Sequence, residues 1–126
     1  MSGEILAGRR VIVIDDEPAQ AEALAELLRL EGMDATWDSV PAQAVQRCLS
    51  APPEVVVVDL SMPGMTGAEV LAAVRARYPQ LPAVLLTGCP QSDPVVSALV
   101  PAGIAYIPKP VDMPRLLAAL EAVQYG

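Results

Sequence analysis

Three short, uninterrupted apolar segments constrain the fold of this chain more than any other feature. They lie at residues 11–14, 55–58 and 83–86 and consist entirely of valine, isoleucine, leucine and alanine. Continuous apolar runs of this length are typical of strands that are buried on both faces of a parallel sheet. Residues 34–37 and 104–107 are weaker strand candidates.

The stretches between the first three strand candidates carry helical signals. Apolar residues recur at helical spacing over residues 19–31, and Gly32 is suited to cap the end of that helix. Residues 44–49 show one apolar helix face, to which Cys48 belongs as a packing residue. Strand and helix signals therefore alternate along the first half of the chain.

The alternation continues in the second half. Thr66 and Glu69 predict a capping box for a third helix, whose apolar stripe continues to Tyr78. Aspartate followed by proline indicates two later helix starts, at residues 93–94 and 112–114. Strand followed by helix, repeated five times in 126 residues, fits one α/β domain. Connections this short predict right-handed crossovers that place helices on both faces of one parallel sheet.

Composition excludes several classes of function. The formal net charge is −7 and the basic residues form no stripe, so direct binding of nucleic acid is not expected. The two cysteines have no metal-binding spacing and histidine is absent, which argues against a zinc site and against histidine-dependent catalysis. The longest apolar runs are too short to insert into a membrane.

Polar residues stand at the predicted strand ends. Asp15 and Asp16 follow the first strand, Asp59 the third, Thr87 the fourth and Lys109 the fifth. In an open parallel sheet, ligands bind beyond the carboxyl ends of the strands, so these side chains are expected to converge. Three aspartates at one edge repel one another, and a hard divalent cation held by oxygen ligands relieves that repulsion. The pattern therefore predicts a Mg²⁺ site.

Asp59 is also a candidate nucleophile. An aspartate carboxylate can form an acyl phosphate, and phosphoryl transfer depends mainly on positioning and on neutralisation of charge. The cation and Lys109 would offset charge on the phosphoryl oxygens, and the Thr87 hydroxyl could donate a hydrogen bond to one of them. Phosphoryl transfer to Asp59 is the chemistry that these residue types favour.

With these residues at its strand ends, the chain resembles the receiver domain of response regulators in two-component signalling. The resemblance is carried by VIVIDDE at 11–17, VVDLSMPGMTG at 57–67, LLTG at 85–88 and YIPKP at 106–110. It extends from about residue 9 to residue 123, so residues 1–126 are interpreted as a single receiver domain. The resemblance implies a flavodoxin-like, doubly wound sheet of five parallel strands in the order 2-1-3-4-5.

The resemblance also implies roles for individual residues at the site. Asp59 would be the phospho-acceptor, and Mg²⁺ would be bound by Asp16, Asp59 and the backbone carbonyl of Ser61. Asp15 would hold a metal-bound water, and Lys109 would pair with the phosphoryl group.

Further implications concern the conformational switch and the partner. Thr87 would follow the phosphoryl group as the switch hydroxyl, Tyr106 would change rotamer, and the Lys109–Pro110 peptide would be cis. The implied donor is a histidine kinase or a phosphotransfer domain, in the cytoplasm, and any kinase activity would lie in another domain. The Thr87-Gly88 pair resembles receivers attached to hybrid histidine kinases, and dimerisation is left open.

Two other functions compete with this interpretation. An aspartate-nucleophile phosphatase would carry a second aspartate two residues after the first, where this chain has Ser61. A degenerate receiver would serve as a protein-interaction module without phosphorylation. This alternative ranks behind the phospho-accepting receiver, because all the residues that phosphorylation needs are present.

One segment departs from the family pattern. Three prolines fall within residues 88–102, where the family has its fourth helix, so a short or irregular element is expected there. Ser61 and Cys89 occupy positions that tune phosphoryl lifetime in the family, and both are small and uncharged. They supply no base for an attacking water, which leaves the lifetime open.

Overall fold

The structure is a computed structural model that describes residues 6–88 and 103–125 of the chain. It contains five strands: β1 (Arg10–Ile14), β2 (Asp34–Asp38), β3 (Val55–Asp59), β4 (Ala83–Thr87) and β5 (Ile104–Pro108). The helices within the described residues are α1 (Pro18–Leu30), α2 (Pro41–Ser50), α3 (Gly67–Arg75) and α4 (Met113–Tyr125). Each strand candidate in the sequence is therefore a strand.

The five strands form one sheet in the order β2-β1-β3-β4-β5, and every neighbouring pair is parallel. This confirms the predicted flavodoxin-like, doubly wound topology. The chain moves outwards from β1 to β2 and then returns to the other side of β1 to form β3. Strand order therefore reverses between β1 and β3, and a crevice at the carboxyl ends of these two strands is the expected ligand position.

Helices cover both faces of the sheet because the central strands are apolar on both sides. Val55 and Val57 of β3 belong to an apolar cluster that includes residues of α1 and α4. Val56 and Val58 belong to a second cluster, which includes residues of α2 and α3. All four valines are at most 1% exposed, and full burial of such a side chain contributes roughly 1.5–3 kcal/mol. β3 is thus the centre of the core, and it holds Asp59 at its end.

Two sequence predictions on α1 and α2 are confirmed. α1 ends at Leu30, and Gly32 follows with φ of 95°, a backbone conformation that glycine adopts without steric cost. Cys48 on α2 is 1% exposed, and burial raises the pKa of its thiol to about 11. Such a thiol is a packing group and a poor nucleophile.

The third helix ends earlier than its apolar stripe suggests. α3 ends at Arg75, whereas the stripe continues to Tyr78. Pro79 follows Tyr78 and disfavours helical backbone at that residue, so the chain turns instead. The Tyr78 hydroxyl donates a hydrogen bond to the backbone oxygen of Leu49 at 3.1 Å, which ties the ends of α2 and α3 together.

Two further predictions meet different outcomes. α4 begins at Met113, within the predicted 112–114 start, and the Asp112 carbonyl accepts a hydrogen bond from the Leu116 N–H at 2.9 Å. The predicted helix start at 93–94, Cys89 and most of the irregular element at 88–102 lie outside the described residues.

Across residues 6–88 and 103–125, no helix combines the length and apolarity needed to cross a membrane.

The predicted capping box at the start of α3 is present, and it gives a stability test. The Thr66 Oγ1 accepts a hydrogen bond from the Glu69 N–H at 3.2 Å, and a Glu69 side-chain oxygen accepts one from the Thr66 N–H at 2.9 Å. We expect Thr66→Ala to lower the unfolding free energy by about 1 kcal/mol, because the Glu69 N–H loses its fixed side-chain acceptor. Urea denaturation measures the change. Thr66→Ser keeps the hydroxyl and should stay near wild type, and an equal loss in both variants would contradict the capping explanation.

Candidate functional site

Three aspartates converge at the carboxyl edge of the sheet. β1 and β3 are neighbours with Ile14 opposite Val58, so Asp15 and Asp59 emerge side by side. One carboxylate oxygen from each of Asp15, Asp16 and Asp59 lies within 4.8 Å of the other two. We call these three residues the acidic cluster. Asp15 and Asp59 are each 4% exposed, and Asp16 is half-buried.

Within the acidic cluster, the ionised form of Asp15 is disfavoured by its surroundings. Burial is the main cause that raises the pKa of the Asp15 carboxyl above its usual value, and the charges of Asp59 and Asp16 act in the same direction. A hydrogen bond from the Glu17 N–H to Asp15 Oδ1, 3.0 Å long, and the charge of Lys109 oppose the rise. A bound cation would relieve the remaining repulsion.

Lys109 supplies the positive charge at this site. Its Nζ lies 2.5 Å from Asp59 Oδ2, and its backbone N–H donates to the Thr87 carbonyl at 2.8 Å. Partial burial lowers the pKa of the Lys109 ammonium, but the hydrogen bond to Asp59 and the negative charges of Asp59, Asp15 and Glu17 together raise it above its usual value. The ammonium is therefore protonated at neutral pH. The Lys109–Pro110 peptide is cis, as the sequence resemblance implies.

Asp59 is held on both carboxylate oxygens. Oδ1 accepts a hydrogen bond from the Ser61 N–H at 3.0 Å, and Oδ2 contacts Lys109. The backbone after Asp59 is also fixed, since the Leu60 N–H donates to the Leu86 carbonyl at 2.8 Å. The carboxylate thus has one defined orientation at the end of β3. Ser61 is exposed, and its N–H is the group that contacts Asp59 in this structure.

Gly67, the first residue of α3, was not singled out by the sequence analysis. Its N–H donates to the Leu60 carbonyl at 3.0 Å, so α3 starts directly against the backbone of the site. A Cβ added there would lie 2.8 Å from Leu60 Cα and 2.9 Å from the Asp59 carbonyl carbon, and it would also clash with the Asp59 oxygen. Glycine at a helix start, where side chains are usually favoured, was the available signal of a close backbone approach.

Thr87 and Tyr106 lie on neighbouring strands. Thr87 ends β4, is 3% exposed and pairs with Pro108 of β5. Tyr106 is half-buried against the cluster that covers the α2 and α3 face. Since alternate strand residues share a face, Thr87 and Tyr106 lie on the same side of the sheet. The other predicted site residues stand at or just after the carboxyl ends of β1, β3, β4 and β5, whereas Tyr106 is the middle residue of β5.

Several known proteins resemble this chain in sequence or in fold. A sequence profile described as response regulator receiver domain matches residues 11–121. The chain is 34% identical over 113 residues to the probable transcriptional regulatory protein TcrX of Mycobacterium tuberculosis, covering 90% of this chain and 48% of that protein. It is 32% identical over 111 residues to the DNA-binding transcriptional regulator NtrC of Escherichia coli, covering 88% of this chain and 24% of that protein.

A solved structure supports the fold. The crystal structure of a response regulator receiver domain protein from Clostridium thermocellum superimposes with a TM-score of 0.82, covering 92% of this chain and 94% of that one. The sequence identity is 24%, so this likeness concerns the fold alone.

The fold and the site define a doubly wound α/β domain with an acidic cluster and a lysine at its topological switch point. With the profile match and the sequence relatives, the chain belongs to the response regulator receiver domain family of two-component signalling. It spans about half the length of TcrX and about a quarter of NtrC, the curated relatives described above.

Proposed function

We propose that Asp59 accepts a phosphoryl group from the phosphohistidine of a histidine kinase or a phosphotransfer domain. The observation that carries the proposal is that the Asp59 carboxylate lies beside those of Asp15 and Asp16 and also contacts the Lys109 ammonium. In that position the nucleophile, a cation site and a fixed positive charge share one edge of the sheet. Phosphoryl transfer requires this combination of positioning and neutralisation. A donor of this kind also implies a cytoplasmic location, which belongs to the same proposal.

The residues present fit a magnesium ion. The acidic cluster offers only oxygen ligands, which hard cations such as Mg²⁺ prefer, and it is opposed by a single lysine. Asp16, Asp59 and the backbone carbonyl of Ser61 are the proposed ligands, and Asp15 is the proposed partner of a metal-bound water. When bound, the ion would neutralise charge on the carboxylates and on the incoming phosphoryl group.

The proposed reaction moves one phosphoryl group and leaves the chain otherwise unchanged. A carboxylate oxygen of Asp59 forms a bond to phosphorus while the phosphorus–nitrogen bond of the phosphohistidine breaks, and the imidazole leaves. Lys109 then pairs with a phosphoryl oxygen in place of the Asp59 carboxylate. Thr87 and Tyr106 would respond to the new charge and shift an existing equilibrium between two conformations.

Neither competing function gains support from the site. An aspartate-nucleophile phosphatase needs a second carboxylate where Ser61 stands, and the carboxylates that cluster with Asp59 are those of Asp15 and Asp16 instead. A degenerate receiver would have lost part of the constellation, whereas Asp16, Asp59 and Lys109 are all in place. Attachment to a hybrid histidine kinase stays a prediction from the sequence.

Direct phosphorylation tests the proposal. We expect incubation with acetyl phosphate and Mg²⁺ to add the mass of one phosphoryl group, and peptide mapping to locate it on Asp59. The adduct should be lost on treatment with hydroxylamine, which cleaves acyl phosphates and leaves phosphoserine intact. A chelator in place of Mg²⁺ is the control and should prevent the adduct. Unmodified protein in the presence of Mg²⁺, or an adduct on another residue, would reject the assignment.

Cation binding gives a second prediction. Mg²⁺ at about 100 times its dissociation constant is expected to raise the unfolding free energy by about 2.7 kcal/mol, because it binds only the folded acidic cluster. Asp16→Asn should lose most of this stabilisation. Asp34→Asn is the matched control, since Asp34 is an exposed acid at the opposite end of the sheet. Urea denaturation with and without Mg²⁺ measures the effect, and equal stabilisation of all three proteins would place the cation elsewhere.

A further inference from the structure

Arg47, on α2, connects that helix to the end of β2. Its Nη1 donates a hydrogen bond to the Trp37 carbonyl at 2.8 Å and contacts Asp38 Oδ2 at 3.2 Å. One guanidinium nitrogen thus holds both a backbone and a side-chain oxygen at the last two residues of the strand. We call Arg47 and Asp38 together the β2 clamp.

Asp38 is an unusual residue for its position. It is 7% exposed, and a buried carboxylate is costly unless charge and hydrogen bonds compensate it. Both oxygens of the Asp38 carboxylate have such a partner. Oδ1 accepts a hydrogen bond from the Val40 N–H at 2.9 Å, and Oδ2 forms an ion pair with Arg47. The turn after β2 is therefore fixed by the same carboxylate that Arg47 holds.

The β2 clamp reaches the acidic cluster through the backbone. Asp38 pairs with Ile14 in the sheet, and the next residue, Asp15, donates its N–H to the Asp38 carbonyl at 3.3 Å. This hydrogen bond is long, and it lies at the end of the pairing between β1 and β2. By itself it therefore fixes the Asp15 backbone only weakly. The Asp15 side chain is oriented on the other side by the Glu17 N–H. The position of the Asp15 carboxylate consequently depends on where the end of β2 is held.

We propose that Arg47 and Asp38 are positioning residues for Asp15 and thereby set the Mg²⁺ affinity of the acidic cluster. The inference rests on the metal site given under the proposed function. Partners that orient a metal site without touching the ion typically change affinity by 10- to 100-fold when removed. Because the β2 clamp acts through one backbone hydrogen bond, we expect Arg47→Ala to weaken Mg²⁺ binding roughly tenfold, the lower end of that range.

Calorimetric titration of the folded protein with Mg²⁺ tests the inference. Arg47→Lys is the conservative variant, since a single ammonium nitrogen can make both bonds that Nη1 makes, and it should recover most of the affinity. Arg29→Ala is the matched control, because Arg29 Nε donates to a different β2 carbonyl, that of Ala35, at 2.8 Å. Arg29→Ala should lower stability and leave Mg²⁺ affinity unchanged.

Phosphorylation kinetics give an independent readout. With acetyl phosphate as donor, Arg47→Ala should need roughly tenfold more Mg²⁺ for half-maximal rate, and the rate at saturating Mg²⁺ should match wild type. A purely structural role would lower the unfolding free energy without moving the Mg²⁺ midpoint. If Arg47→Ala does not fold, Asp38→Asn takes its place, with a smaller shift in the same direction.

The possible outcomes separate this inference from the proposed function. Wild-type protein that binds no Mg²⁺ would overturn the metal site and the β2 clamp together. Wild-type binding with unchanged affinity in Arg47→Ala and Asp38→Asn would overturn only the β2 clamp. If Arg29→Ala also weakened Mg²⁺ binding, the role of the β2 clamp would be overturned, because the loss of affinity would then result from a general loosening of β2.

Discussion

In the Asp59→Asn variant, we expect acetyl phosphate and Mg²⁺ to produce no phosphoryl adduct under conditions that fully modify the wild type. The side-chain amide is nearly the same size as the carboxylate, and its oxygen can still accept the Ser61 N–H. Its nitrogen and oxygen, however, lack the negative charge that makes the carboxylate a nucleophile. The loss should therefore be complete, although the fold is retained. Intact-protein mass spectrometry measures it.

Asp112→Asn is the matched control for this experiment. Asp112 is an exposed acid in the segment between β5 and α4, outside the acidic cluster, and asparagine serves as well as aspartate at a helix start. We expect Asp112→Asn to be phosphorylated as fast as wild type. An adduct on Asp59→Asn that maps to Asp15 or Asp16 would contradict the assignment of Asp59 as the acceptor.

The second large effect is expected at Gly67. Alanine is favoured over glycine within helices by about 1 kcal/mol, so propensity alone predicts that Gly67→Ala stabilises α3. The structure predicts the opposite sign, because the new methyl group would overlap the backbone of Asp59 and Leu60. The backbone at the end of β3 cannot shift to relieve this overlap without displacing the residues of the site. We expect a loss of about 3 kcal/mol or more in unfolding free energy, at the upper end of overpacking effects.

Gly64→Ala distinguishes this clash from ordinary glycine effects. Gly64 has φ of 83°, and an added Cβ there meets no described atom within 4 Å. Its replacement should cost only the local backbone strain, about 1–2 kcal/mol. Urea denaturation followed by circular dichroism compares the two variants. A Gly67→Ala variant as stable as wild type would show that α3 can move away from Asp59 freely, which would contradict the tight contact at the site.

Both effects arise because β3 has two roles. Val55–Asp59 is the central strand of the core, and its last residue is the proposed acceptor. The core therefore fixes the nucleophile, and the Ser61 N–H, Lys109 and the start of α3 define its orientation. If Asp59 gains the proposed phosphoryl charge, a site held this firmly would bias neighbouring elements, since packed cores switch between discrete arrangements.

The sequence predicted the elements whose signals are local. The valines of β3 mark a strand buried on both faces, and Thr66 with Glu69 marks the start of α3, because neighbouring residues alone produce these patterns. The sequence predicted that α3 would stop at Pro79, after its apolar stripe to Tyr78, whereas the helix already ends at Arg75. The placement of Asp15, Asp16, Asp59 and Lys109 on one edge also followed from sequence, because parallel strands share their carboxyl ends.

Sequence alone therefore determined which residue types stand at which strand ends, and with them the family and the candidate chemistry. Only the tertiary structure decided how closely those residues meet. The contact of Gly67 with the Asp59 backbone and the path from Arg47 through Asp38 to Asp15 join segments that are distant in the chain. Such contacts depend on how closely the helices pack against the sheet, and no local sequence pattern encodes that packing.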